Sequence, residues 1–332
     1  MEEDATENHQ ADGFCAKKLV YGLIAAMGLL YAGKAAVGVV FHPDGEPNLA
    51  VWKDRPDANV VGRWGNNSSC VAVSSNCIIT TRHQAGGVGT SVEIGGHTYS
   101  VEQVWNCGTA DLRVAKLHDA NLTNFVPLYI NTDEASKAIV TGGYGKGRGS
   151  ILDGYGYTWA GSSNQTQRWG QNTIDYNGIG GGGGYISDVI AADFDGYGEP
   201  DAQQYEAALA EWDSGGGWFI SDNNQWKVAG LSHGTSHFGE SWYDPPDEID
   251  AVRISSYAAW IYNTIWGRLA GDLTGDNRVD FSDFAVFGLY WRHTDCNVPG
   301  WCAGADHEPD GDVDWADLNV IAEQWLCDLG CY

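Results

Sequence analysis

A chain of 332 residues that is 43% hydrophobic is long enough to bury one large core and a small one, and too apolar to stay unfolded. Its 44 acidic residues against 18 Lys and Arg set a formal net charge of -26, which leaves no basic stripe to neutralise phosphates and argues against nucleic-acid partners. The 15 Trp, 16 Tyr and 45 Gly favour short strands and tight turns over a helical bundle.

At the N-terminus, Lys17 and Lys18 precede an apolar run from Leu19 to Leu30, followed by small residues as far as Ala36. Residues 1–36 read as a signal peptide, so the chain is expected to be secreted or held at the cell surface. The competing expectation is an N-terminal membrane anchor, because only Lys34 interrupts the stretch up to Val40. Eight cysteines suit an oxidising compartment. Cys15 falls in the leader. Cys70, Cys77 and Cys107 lie in the body, where at least one stays free or pairs elsewhere, and Cys296, Cys302, Cys327 and Cys331 crowd the tail, where two disulfides are expected.

Residues 39–266 form the body. Short apolar runs punctuated by Gly, Asn and Asp, such as Cys70–Val73, Cys77–Thr80, Thr90–Ile94 and Leu112–Leu117, predict strands, with few helices between them. Residues 177–184, with five consecutive glycines from Gly180, predict a flexible loop without the Lys and Ser/Thr of a phosphate loop. The one convincing body helix is Ser255–Ile265, where Tyr257, Trp260, Ile261 and Ile265 share a face. Gly267 to Gly271 then reads as a hinge.

Hydrolysis of a peptide bond by serine needs a base, a carboxylate to orient it, and N–H donors for the oxyanion. His83 follows an apolar strand, Asp111 precedes another, and Ser214 sits in the glycine-rich turn Glu211–Gly217. In that order these segments resemble the histidine, aspartate and serine motifs of the trypsin/chymotrypsin family. Gly230–Gly234 resembles the family's substrate-binding edge strand, and Ala251–Ile261 its closing helix. The resemblance covers roughly residues 60–265 and implies an all-β fold of two chymotrypsin-type barrels closed by a helix.

It also implies roles. Ser214 would be the nucleophile, His83 the general base and acid, and Asp111 the residue that fixes the imidazole. Trp212, Asp213 and Ser214 would form the oxyanion loop. Ser232 would approach the buried aspartate, His233 and Gly234 would pair with substrate backbone, and Ala208 with Leu209 would floor a primary pocket for an apolar side chain. The sequence departs from the family in three places. Trp212 stands where the family has a glycine, and Gln84 replaces the cysteine after the histidine, which a Cys70–Cys77 bridge or a pairing with Cys107 would offset. Val60 to Gly62 lies too near His83 to supply a cleaved N-terminus to Asp213.

From Gly271 to the end, 13 acidic residues face only Arg278 and Arg292, interleaved with apolar residues at helical spacing, which calls for a divalent cation. An EF-type loop offers oxygens from positions 1, 3, 5, 7, 9 and 12. Two stretches fit: Asp272, Thr274, Asp276, Arg278 (by its carbonyl), Asp280 and Asp283; then Asp306, Glu308, Asp310, Asp312 (by its carbonyl), Asp314 and Asp317, offset by 34 residues. With Asp at the last position, residues 271–332 resemble a type I dockerin. That resemblance implies a small helical module with two Ca2+ sites, the first weaker, that docks on a cohesin-like scaffold through Phe281, Ser282, Trp315 and Ala316. The expected activity is that of a secreted serine endopeptidase acting on protein or peptide substrates with no cofactor for the chemistry. The alternative is a catalytically silent homologue acting as a secreted binding protein.

Overall fold

The computed structural model describes residues 39–41, 49–152, 156–159, 166–196, 199–237, 247–267, 271–276, 278–296, 302–307 and 310–326. The expected leader, Cys15, the remainder of the hinge at 268–270, Glu308, Cys327 and Cys331 lie outside these residues.

The body is mostly β. Its first strands are β1 (Val40–Phe41), β2 (Val61–Trp64), β3 (Ser69–Ala72), β4 (Cys77–Thr80), β5 (Ser91–Ile94), β6 (His97–Asn106) and β7 (Arg113–Leu117). Six of them close an antiparallel barrel in the order β2-β3-β4-β7-β6-β5. The barrel is filled by Trp64, Cys70, Ala72, Ile78, Val92, Ile94, Val101, Ala115 and Leu117, which alternate with outward residues as a period of two requires.

The second half contributes β8 (Ala138–Gly143), β9 (Arg148–Leu152), β10 (Gly156–Trp159), β11 (Arg168–Thr173), β12 (Tyr176–Gly182), β13 (Tyr185–Ala192), β14 (Ala207–Ala208), β15 (Gly217–Asp222), β16 (Gln225–Ser236) and β17 (Glu248–Arg253). Seven of these make an antiparallel sheet, β11-β8-β15-β16-β17-β13-β12, and β1-β14 and β9-β10 form separate pairs. Two closed barrels were the expectation; among the described residues only the first half closes. The outer edge of β11 is met instead by β14 and the segment before it, where Gln171 N–H donates to the Tyr205 carbonyl at 2.7 Å and the Asn172 side-chain amide donates to Ala207 O at 3.1 Å. An edge satisfied in this way has no free ladder to offer β12.

The glycine run is corrected from loop to strand. Tyr176 to Gly182 pairs residue for residue with β13, ending at Gly182 opposite Tyr185. Gly183 and Gly184 make the two-residue turn with φ of +62° and +91°, the positive pair that a tight hairpin needs. Ladder hydrogen bonds use only backbone, so a side-chain pattern does not betray this strand.

After β17 a 3-10 turn (Ile254–Tyr257) leads into α1 (Ala258–Trp266), and the two bury Ile254, Ala258 and Ile261 in one cluster with Leu112, Val114 and Val252. The tail carries α2 (Phe281–Tyr290) and α3 (Trp315–Glu323). Cys296 and Cys302 are disulfide-bonded. Cys70, Cys77 and Cys107 are all free and buried, so no bridge among them replaces the one absent at Gln84.

Candidate active site

β4 and β7 are ladder neighbours, with Thr80 opposite Arg113. His83, just past the end of β4, and Asp111, just before β7, therefore reach the same rim of the barrel. The backbone N–H groups of Arg82 and His83 donate to Asp111 Oδ1 at 2.6 and 2.7 Å, and His83 Nδ1 donates to Asp111 Oδ2. Asp111 is completely buried. Burial alone pushes its carboxyl up, but the hydrogen bond and charge of His83 and the charge of His233 outweigh that and hold it below the usual carboxylate range. Its own N–H donates to Ser187 Oγ on β13 at 2.8 Å, tying the barrel rim to the second sheet.

Ser214 lies in the turn before β15, placed by backbone bonds from both halves. Ser69 N–H donates to Ser214 O at 2.9 Å, Gly215 N–H to Ser232 O at 2.9 Å, and Ser232 N–H to Gly216 O at 2.8 Å. Gly215 has φ +83°, and a Cβ there would stand 2.3 Å from both Ser69 O and Thr80 Oγ1, so only glycine fits. The result brings three residues far apart in sequence together: Ser214 Oγ lies 2.8 Å from His83 Nε2, with Asp111 on the far side of the ring. Ser214 is wholly buried, whereas the His83 side chain is partly exposed.

Trp212 takes up a backbone that favours glycine, with φ +83°. Its neighbours hold it there. Lys146 Nζ sits over the indole, 4.6 Å from the ring centroid, and pairs with Glu211, while Lys146 N–H donates to Glu211 O at 2.8 Å. Asp213 is fully buried, and its Oδ1 accepts from Gly145 N–H at 2.5 Å. Its other oxygen finds no partner among the described residues, and burial pushes the carboxyl up to about 7.

The substrate-binding residues are placed differently from expectation. A β-bulge in β16 pairs Ser232 with Ala251 and Gly234 with Asp250, leaving His233 as the extra residue. It is His233, not Ser232, that approaches Asp111, with Nε2 at 3.5 Å from Oδ2. Ser232 Oγ is buried with no hydrogen-bond partner among the described residues. Ala208 and Leu209 are fully buried, Ala208 laddered to Val40 and both packed among Ile174, Trp218 and Ile220. Three participants carried no signal as such in the sequence: Asp250, Lys146 and the amide of Gln84, which donates to His83 Nε2 at 2.9 Å.

In the tail the two loops share several bonds at the offset of 34. Asp283 Oδ1 accepts from Leu273 N–H and Asp317 Oδ1 from His307 N–H; Asp283 Oδ2 accepts from Asp280 N–H and Asp317 Oδ2 from Asp314 N–H. Asp280 and Asp314 each cap the following helix in a capping box. One carboxylate oxygen from each of Asp272, Asp276 and Asp283 falls within 4.8 Å of the others, and Asp306 Oδ1 is buried without a hydrogen-bond partner among the described residues. Clustered anions and an orphaned buried oxygen are what a hard cation satisfies, so these donors fit Ca2+.

No protein-family model matches the chain, and no curated protein matches it. Among solved structures, a mutant of human heparin binding protein is similar, at 15% identity and a TM-score of 0.46 over 64% of this chain and 94% of that one. At that level of likeness the fold rests on the barrel and sheet themselves.

Proposed function

We propose that this protein is a secreted serine endopeptidase. The observation that carries this reading is the contact of Ser214 Oγ with His83 Nε2 at 2.8 Å, on an imidazole whose Nδ1 is bonded to Asp111. In this arrangement His83 takes the Ser214 proton as the hydroxyl attacks the scissile carbonyl, then passes it to the leaving amine. Asp111 holds the ring in the tautomer that leaves Nε2 free to accept. Water then attacks the acyl-enzyme, again with His83 as base. The N–H groups of Trp212 and Ser214 are the donors assigned to the oxyanion. Glu211 is engaged by Lys146, and burial together with Asp195 and Asp193 raises Glu206 to about 9, so neither acid is free to recognise a basic side chain. That supports a preference for apolar side chains.

The tail is proposed as a Ca2+-dependent tether of the dockerin kind, with Asp272, Asp276, Asp283, Asp306 and Asp317 among the ligands and a cohesin-like scaffold as partner. Phe281 and Trp315 are strongly exposed at the starts of α2 and α3, which supports docking there.

The test of the enzyme reading is labelling by a fluorophosphonate. Native protein is expected to label and Ser214→Ala is not. Absence of labelling together with absence of casein cleavage in calcium would replace this reading with that of a silent binding protein.

A further inference from the structure

His233 is 7% exposed and lies between two carboxylates. Its Nε2 is 3.5 Å from Asp111 Oδ2, and its Nδ1 is 3.0 and 3.2 Å from the two oxygens of Asp250 on β17. A neutral imidazole has one N–H and would turn a lone pair toward one of those anions; only the doubly protonated ring presents a donor to each. The surroundings are built around this contact. A Cβ on Gly180 would stand 2.7 Å from Asp250 Oδ2, and one on Gly234 would stand 3.0 Å from Oδ1, so glycines on β12 and β16 make room for the carboxylate. The His83 ring stands edge-on to His233 with centroids 5.8 Å apart.

We infer that His233, clamped by Asp250, is a cationic positioning residue for Asp111, so that one buried carboxylate serves two imidazoles and the basicity of His83 is set in part by His233. This rests on the hydrolase reading for its role in turnover, though the charge relationship itself does not. The titratable groups facing His233 are His83 from the segment after β4, Asp111 from the segment before β7 and Asp250 from β17. Behind Asp250 stands Glu248, which accepts from Tyr176 OH at 2.6 Å. Burial opposes the charge on His233, but Asp250 and Asp111 overcome it and raise the ring to about 9, consistent with the geometry.

The consequence follows from Coulomb's law. When His83 accepts the serine proton it becomes a second cation on Asp111, in the presence of one already there. The two cations then repel across the carboxylate they share.

The experiment follows the imidazole nitrogens by 15N NMR in the native chain, His233→Gln and Asp250→Asn, alongside the pH dependence of fluorophosphonate labelling. In the native chain His233 is expected to stay protonated well past its ordinary 6.5. Removing the His233 charge, as in His233→Gln, at the 5.8 Å ring spacing should raise the His83 titration midpoint by roughly half a pH unit in a water-like surrounding and about two in a protein-like one. The acidic limb of the labelling profile should move with it. A merely structural role would change the amount of folded protein without moving either midpoint. If His83 titrates identically in the three proteins, or native His233 loses its proton near 6.5, the inference is overturned. Asp250→Asn removes an anion together with the clamp, so its readout is His233 itself: the His233 midpoint should fall below its native value, and an unchanged His233 midpoint overturns the inference even if His233→Gln does not fold. If His83 shifts but native protein never labels, the coupling stands and the hydrolase reading falls instead.

Discussion

Lys146 Nζ lies 4.6 Å above the centre of the Trp212 indole, and the same ammonium pairs with Glu211, the residue before it. This clamp explains how a bulky residue keeps φ +83° in the loop that carries Ser214. A non-glycine residue in such a region costs about 1–3 kcal/mol, offset here by a cation–π contact of about 0.5–1 kcal/mol and an ion pair of similar size.

Trp212→Ala and Trp212→Gly should therefore differ. Alanine keeps the strain and loses the ring, whereas glycine loses both. Urea unfolding is expected to place the glycine variant about 1 kcal/mol or more above the alanine variant. Equal midpoints would mean that the loop relaxes and no strain is held.

Gln84 and Ser214 both direct a donor at His83 Nε2, at 2.9 and 2.8 Å. The ring nitrogen has one lone pair, so the amide competes with the hydroxyl for the base. Gln84→Ala should speed fluorophosphonate labelling by about 2–10-fold, the worth of one neutral hydrogen bond. A rate unchanged or lowered would show that the amide orients the ring.

Several buried carboxyls hold protons that the unfolded chain would release. Burial, then neighbouring acids, raises Asp193 and Asp195 to about 7 from 3.8 and Glu206 to about 9 from 4.5; burial does the same to Asp213. The folded state thus binds more protons than the unfolded state between about 4 and 9, and stability falls as pH rises through that window. His233 acts in the same direction, its contribution present below 6.5 and lost as pH rises through about 9. Asp111, with a depressed value, contributes constantly there. Urea midpoints measured in EDTA should be higher at pH 5 than at pH 8.5, and Glu206→Gln should flatten the trend. A rising or flat native curve would contradict these protonation states.

For the tail, chelation is expected to lower the melting temperature of the α2–α3 region and added Ca2+ to restore it. Calcium at a hundredfold over its Kd adds about 2.7 kcal/mol to the folded state. Asp283→Asn and Asp317→Asn should each blunt the response to calcium, because each removes a charge facing its loop. Indifference of the native chain to EDTA would dismiss the metal reading.

How much of this was legible beforehand depends on the range of each interaction. The first-half strands, the closing helix and the doubled acidic loops were readable, because alternation, three- and four-residue steps and an offset of 34 are local patterns. His83, Asp111 and Ser214 could be singled out by the motifs around them, although nothing local brings Ser214 within 2.8 Å of a ring 131 positions earlier. The glycine strand was misread because its pairing is all backbone, and Ser232 was assigned the place that His233 occupies because one bulge turns the side chains over.

The sequence by itself thus marked His83, Asp111 and Ser214 as candidates and set most of the first-half strands and the acidic loops, since those follow from side-chain type and near-neighbour spacing. Only the tertiary structure decided that a tryptophan is held in a glycine's conformation by Lys146, and that His233 and Asp250 extend the line behind Asp111. Both depend on strand register and on pairings between distant segments, which packing of the whole body selects and no short stretch encodes.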